Sequence, residues 1–337
     1  MTTIFPPEDD VLSGDTADIY LVRAQAILRH EDLNPIVTME LFSNGEGLLC
    51  GMREVLALLR QVLPSEAEVS ALDEGQTMGA KEVVLRITAP YGSFGLYETA
   101  YLGMLAHQSG WATAARRCVE AAQGIPIISF GARHVHPRVA ARLEYAAMVG
   151  GFVGCATPAG ARLSDVSPTG TIPHAVILIF GDTVEATKAF DRHIAPEVNR
   201  IALVDTFKDE AEESLRVAEA LGDKLWGVRL DTPGERGRVT PDLVKEVRAR
   251  LDQAGHEQVK IVVSGGIDEE RIRLFVEKAA PVDAFGVGSA VSSAPPIDFT
   301  ADIKVIEGKP VAKRGRIPGI TTNSRLQRID LAATFPD

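Results

Sequence analysis

The stretch Val259–Ser289, VKIVVSGGIDEERIRLFVEKAAPVDAFGVGS, decides the fold. Val259 to Val263 is a short apolar run interrupted only by Lys260, the mark of a strand buried on both faces. Ser264-Gly265-Gly266-Ile267-Asp268 interrupts it, and Glu269 to Ala279 has helical spacing. Val282 to Val287 is a second apolar run that passes into Gly286-Val287-Gly288-Ser289. Strand, glycine turn, helix and strand in that order make a parallel βαβ unit.

The same rhythm extends backwards. Apolar runs stand at Ile125–Phe130, Gly151–Gly154, Ile201–Val204 and Leu225–Leu230. Helical patterns lie between them at Arg138–Val149, Ile172–Phe180, Glu210–Leu221 and Asp242–Ala254. With a weak strand around Val166–Gly170, the count predicts an irregular seven-stranded (β/α) barrel over residues 125–294. An open doubly wound sheet is the alternative. Residues 1–124 predict an N-terminal α+β domain: a helix at Ile19–His30, strands at Pro35–Phe42 and Glu82–Ala89, and helices at Leu96–Gln108 and Thr113–Gln123. Residues 295–337 predict a hairpin and tail returning to that domain. Asp302–Ile306 and Pro310–Lys313 are its strands, and Glu307-Gly308-Lys309 its turn.

Composition narrows the function. The 337 residues are 45% hydrophobic and 24% charged, an ordinary globular balance. With 46 acids against 35 bases the net charge is −11, which argues against nucleic acid as a partner. No apolar run is long enough to span a membrane. Met1–Asp10 hold no basic segment and no apolar core, and the three scattered cysteines fit a reducing compartment, so a cytoplasmic chain is expected.

In such barrels chemistry sits at the carboxyl ends of the strands. The first strand is followed by Phe130-Gly131-Ala132-Arg133-His134, a cation and an imidazole beside an aromatic. Leu203-Val204-Asp205-Thr206 puts an acid at the next mouth position, either a site carboxylate or a cap for the helix that follows. Val228-Arg229-Leu230-Asp231 places Arg229 and Asp231 on one side of a strand, as site residues or a mutual ion pair. The turns Ser264-Gly265-Gly266 and Gly286-Val287-Gly288-Ser289 allow close backbone approach and free N–H groups, a phosphate grip. His174, in Gly170-Thr171-Ile172-Pro173-His174, opens an apolar helix. Cys155 reads as a small apolar residue.

These segments resemble the nicotinate phosphoribosyltransferase family in its shorter archaeal-like form. Gly14-Asp15-Thr16-Ala17-Asp18-Ile19-Tyr20 and Tyr97-Glu98-Thr99-Ala100-Tyr101-Leu102-Gly103 extend the resemblance over nearly the whole chain. It implies a type II phosphoribosyltransferase of NAD biosynthesis, making nicotinate mononucleotide from nicotinate and phosphoribosyl diphosphate. It further implies ATP as co-substrate, Mg²⁺ as cofactor, and a homo-oligomer with sites at subunit interfaces. His174 matches a histidine phosphorylated by ATP. Phe130 and a neighbouring subunit's Tyr20 match the pair that stacks on the pyridine ring. Arg133 and Arg229 match cations around substrate. Asp231 and Asp205 match acids near the ribose and metal, and the two glycine turns match the 5′-phosphate grip.

The chain departs from the larger members at His134, where they carry a second arginine. It departs again at Asp231-Thr232-Pro233-Gly234, where they often read Asp-Ser-Gly-Asp. Three rivals compete with this reading, one of them a phosphosugar lyase or isomerase on a phosphate-binding barrel, which would need a catalytic lysine or acid–base pair at a strand end that the sequence does not show. Quinolinate phosphoribosyltransferase needs extra cations for a second carboxylate and uses no ATP. A non-catalytic nucleotide-binding barrel would not need the full set of residues.

Overall fold

The structure, a computed structural model, describes residues 5–332. Met1–Ile4, the first part of the stretch read for a leader, and residues 333–337 of the tail lie outside them. The chain divides into two compact units. One runs to Thr113 and resumes at Ala294; the other is Ala114–Ser293.

The second unit carries six parallel strands. They are β1 (Ile127–Ser129), β2 (Gly154–Cys155), β3 (Arg200–Leu203), β4 (Leu225–Leu230), β5 (Lys260–Val263) and β6 (Ala284–Val287). Their order is β2-β1-β6-β5-β4-β3. The first strand pairs with the last, Ile128 opposite Gly286, so the order is that of a barrel opened between β2 and β3. This excludes the doubly wound alternative and also corrects the seven-strand expectation. Val166–Gly170 forms no strand: it gives one ladder-like bond, Thr169 N–H to the Cys155 carbonyl at 2.8 Å.

All four residues of β3 and of β6 are buried, which is why Ile201–Val204 and Ala284–Val287 read as unbroken apolar runs. Ile128, Ile201, Val262 and Ala284, from four strands, pack with half-buried Phe130 and Trp226 into one inner layer. The register of β3 against β4 skips Trp226, a bulge that inserts one extra residue. Beyond it Gly227, Arg229 and Asp231 share a side. Gly227 has a packing reason: a Cβ there would stand 2.7 Å from the Lys260 carbonyl oxygen.

The first unit is built on an antiparallel sheet. Its order is Lys309–Pro310, Phe299–Ile306, Ile36–Ser43, Val83–Pro90, Glu68–Ala71 and Gln327–Ile329. Phe299–Ile306 pairs with Ile36–Ser43 along almost its whole length. The hairpin turn is tighter than the sequence suggested: Ile306 faces Lys309, and Glu307 and Gly308 both have positive φ, 47° and 74°. Leu85 and Ile87 are fully buried, together with Val55, Leu59 and Tyr101 from helices of this unit.

One long helix, Glu98–Ala122, replaces the two expected around residues 109–112. Gly110 is there for contact rather than for a turn, because a Cβ would meet the Pro295 carbonyl oxygen at 2.3 Å. Among the described residues no helix is long and apolar enough to cross a membrane.

Candidate active site at the strand ends

Period-two alternation carries the inner layer of the half-barrel upward into polar positions. Ile128 leads to Phe130, Val262 to Ser264, Ala284 to Gly286 and Gly288, and Ile201, by way of Leu203, to Asp205. These strand ends and the loops after them enclose a cleft of about 330 Å³, within the range of small-molecule sites. Phe130, Arg133, His134, Arg229, Asp231, Ser264, both glycine turns and Ser289 line it.

Arg229 is the hub of the cleft. Its Nε donates to Ser264 Oγ at 2.8 Å and its Nη1 to Thr171 Oγ1 at 3.2 Å. Its Nη2 lies 3.4 Å from Asp231 Oδ2, so the mutual ion pair forms within the lining of the cleft. Ser264 Oγ in turn donates to Asp231 Oδ1 at 2.7 Å. The Arg229 guanidinium also lies 4.7 Å over the Phe130 ring and covers one face of it. Phe130 rests on Gly286, where a Cβ would stand 2.3 Å from its ring, and His134 rests on Gly288. Glycine is required at both positions by contact. At Gly265 and Gly266 it is favoured by backbone, with φ of 87° and 65°.

His174 and Asp205 adjoin this network. The helix His174–Phe180 docks through fully buried Ile177 onto Leu203, two residues before Asp205. This brings His174 Nε2 to 3.0 and 3.1 Å from the two Asp205 oxygens. A carboxylate only accepts, so Nε2 carries a proton in either charge state, and in the neutral ring Nδ1 keeps a lone pair. The Asp205 bond raises the His174 pKa above its ordinary value, and the Asp205 and Asp231 charges add to it. Partial burial and the Arg229 charge oppose the rise. Asp205 is not the cap of the next helix, because Asp209 fills that role through the Glu212 N–H.

Tyr20 belongs to the other unit. It stands 56% exposed on the helix Ile19–His30, with Ile19 and Ile27 also exposed. Cys155 is buried, and burial pushes its thiol up to about 11, so it is inert as a nucleophile.

Sequence reasoning missed three side chains that shape the cleft. Fully buried Glu144 accepts from the Ala156 and Thr157 N–H groups and from the Thr157 hydroxyl, fixing the loop after β2. Arg271 donates to the Gly265 and Gly266 carbonyls, and Arg238 lies against Gly266. No periodic signal marks any of them.

Among the described residues no three acids, histidines or cysteines cluster as a metal cage. The donors that fit a cation are the carboxylates Asp231 and Asp205, both within electrostatic reach of His174. One or two carboxylates, with a substrate's phosphates completing the shell, is how Mg²⁺ is commonly held.

Fold and cleft together define an α/β half-barrel with a glycine-lined cleft at its strand ends that holds Arg133 and Arg229. The chain belongs to the quinolinate phosphoribosyl transferase family, a type II phosphoribosyltransferase family. It matches the C-terminal domain of that family over residues 111–302 and the N-terminal domain over residues 18–109. It is similar to the crystal structure of nicotinate-nucleotide pyrophosphorylase from Pyrococcus furiosus. The TM-score is 0.86 at 43% identity, covering 96% of this chain and 84% of that one.

A nicotinate phosphoribosyltransferase of Mycobacterium tuberculosis is 32% identical over 247 residues, 72% of this chain and 52% of that protein. The chain thus spans about half the length of the curated relatives it matches first. The human nicotinic acid phosphoribosyltransferase structure shares the fold, with a TM-score of 0.71 at 21% identity over 90% of this chain and 77% of that one.

Proposed function

We propose that this protein is a nicotinate phosphoribosyltransferase of NAD biosynthesis or salvage. It forms nicotinate mononucleotide and diphosphate from nicotinate and phosphoribosyl diphosphate, with ATP as co-substrate. The observation that carries the proposal is the convergence of Phe130, Arg133, Arg229, Asp231 and both glycine turns on one cleft.

Breaking the bond between C1 and the diphosphate leaves an oxocarbenium-like sugar and a departing polyanion. Arg229, held by Ser264 and Asp231, neutralises that charge without proton transfer. The glycine turns hold the 5′-phosphate through backbone N–H groups. Phe130 offers the pyridine ring a flat apolar surface near C1, and an exposed Tyr20 from a neighbouring copy supplies the opposite surface. Asp231 and Asp205 are the residues that would hold Mg²⁺, which supplies further neutralisation of the diphosphate.

His174 is the acceptor of the ATP γ-phosphoryl group. Its Nδ1 lone pair bonds to phosphorus as the bond to the departing ADP breaks, and Asp205 steadies the ring through Nε2. The phosphoryl group then passes to water.

Arg133 supports nicotinate over a diacid. Among the described residues it has no carboxylate partner, and one free guanidinium at the rim suits one substrate carboxylate. A quinolinate reading is favoured by the family's description. It requires a second cation for the second carboxylate. A mass-spectrometric product assay with phosphoribosyl diphosphate and each acid, with and without ATP, separates the two. The proposal expects nicotinate mononucleotide from nicotinate, faster with ATP. Turnover of quinolinate alone, with loss of CO₂ and no response to ATP, refutes it.

A further inference from the structure

Arg238 has been placed against Gly266 but given no chemical role so far. It follows Asp231 in the loop after β4, where the Arg236 and Arg238 N–H groups both donate to the Pro233 carbonyl at 3.1 Å. Gly237 and Arg238 have φ of 95° and 64°, so an arginine is held in left-handed backbone. Its side chain is exposed and ends on the second glycine turn residue: a Cβ at Gly266 would lie 1.9 Å from its Nη1 and 3.1 Å from its Cζ.

Arg271 makes the loop and the turn one piece. It donates to the Gly265 carbonyl at 2.8 Å, the Gly266 carbonyl at 3.2 Å and the Val239 carbonyl at 2.5 Å. Val239, next to Arg238, is 1% exposed, so the loop is anchored there. The turn's carbonyls are thus spent on Arg271, while the Gly265 and Gly266 N–H groups have no partner among the described residues.

The charge balance is unusual. Arg238 and Arg271 are close enough that Arg238, after burial, is a cause of the lowered Arg271 pKa. Asp268 faces Arg271 and caps its backbone N–H at 2.8 Å. Among the described residues no carboxylate pairs with Arg238. Two neighbouring guanidinium groups beside unpartnered N–H groups repel one another until an anion joins them. The two glycines also differ in what they face. A Cβ at Gly265 would lie 3.2 Å from Asp231 Oδ1, a carboxylate that repels phosphate. Gly266 faces Arg238.

We infer that Arg238 is a substrate-binding residue that takes the 5′-phosphate of the phosphoribosyl substrate on the Gly266 side of the turn, with Arg271 as the positioning residue that holds turn and loop together. The inference rests on the phosphoribosyl reading above and adds to it a side-chain cation for the terminal phosphate. Because Arg238 is exposed, its replacement leaves the core intact.

The test uses the full chain with Arg238→Ala and Arg238→Lys. Calorimetric titration with ribose 5-phosphate and, separately, inorganic diphosphate distinguishes the two ends of the substrate. Arg238→Ala is expected to bind ribose 5-phosphate about 10- to 100-fold more weakly, the loss of one charge-assisted contact, with diphosphate unchanged. Arg238→Lys recovers part of the loss. In the reaction, KM for phosphoribosyl diphosphate rises and kcat holds, because the contact is the same in ground and transition states.

Ribose 5-phosphate binding unchanged by Arg238→Ala, lost equally with diphosphate, or undetectable in the unaltered protein overturns the inference. If the unaltered protein binds ribose 5-phosphate through Arg238 but transfers no phosphoribosyl group, the enzymatic reading fails and this contact stands. If transfer proceeds and the variant shows the parent's KM, the contact fails and the enzymatic reading stands.

Discussion

Arg229→Ala separates a charge-stabilising arginine from a packing one. The side chain is 18% exposed and makes three polar contacts, at 2.8 Å to Ser264, 3.2 Å to Thr171 and 3.4 Å to Asp231. Its removal orphans little. Ser264 Oγ keeps its bond to Asp231, and Asp231 is 21% exposed, so water replaces the lost donor. The cost in stability is about 2 kcal/mol, a fraction of the roughly 5–15 kcal/mol typical of a domain. The variant therefore folds, and its activity is readable.

Loss of a preorganised cation at the departing diphosphate costs about 10²–10³ in kcat, or about 2.7–4 kcal/mol. The assay is initial-rate formation of mononucleotide at saturating phosphoribosyl diphosphate, with far-UV circular dichroism melts in parallel. Arg229→Lys falls between, since a point charge keeps the sign but cannot hold all three partners. A kcat within about threefold of the parent, or a rise in KM alone, refutes the role, because a purely ground-state contact leaves kcat untouched.

Three further outcomes follow from the geometry. His174 titrates above the ordinary histidine value of about 6.5, and Asp205→Asn lowers it, as read from imidazole NMR shifts against pH. Because the folded pKa is raised, the stability from this pair is full below about pH 6.5 and is lost as pH rises through the folded value. Stimulation by ATP runs the other way, growing with pH as Nδ1 loses its proton, and His174→Ala abolishes it while leaving phosphoribosyl transfer; coupling that survives the substitution removes His174 from the mechanism. Glu144→Gln leaves too few acceptors for the Ala156 and Thr157 donors and costs about 2–3 kcal/mol in urea unfolding, whereas an unchanged midpoint shows that the loop after β2 does not depend on it.

The parallel strands were legible in the sequence because burial on both faces leaves them mostly apolar, with the charged exceptions Arg200 and Lys260 at strand starts and Arg229 facing the cleft. The cleft residues were legible because they continue those strands at period two. Phe130, Arg229, Asp231, Ser264 and the glycine turns come together for that one reason.

What was hidden is what depends on contact through space. His174 and Asp205 are 31 residues apart and meet only because Ile177 docks on Leu203. The expected seventh strand fails because Val166–Gly170 offers one ladder-like bond where a strand needs a series. Gly110 mimicked a helix break while serving a close approach to Pro295. Arg238 and Arg271 lie in loop and helix positions whose composition says only that they are solvated, and their meeting at Gly266 follows from a left-handed turn that no spacing rule encodes.

The central claim is that these separated segments grip one phosphorylated ribosyl pyridine. A crystal structure of the protein soaked with nicotinate mononucleotide tests it directly. The account places the phosphate on the Gly265-Gly266 and Gly288-Ser289 turns, the ribose beside Asp231 and the pyridine ring against Phe130. Density for the nucleotide away from this cleft, or the phosphate seated elsewhere within it, contradicts the account.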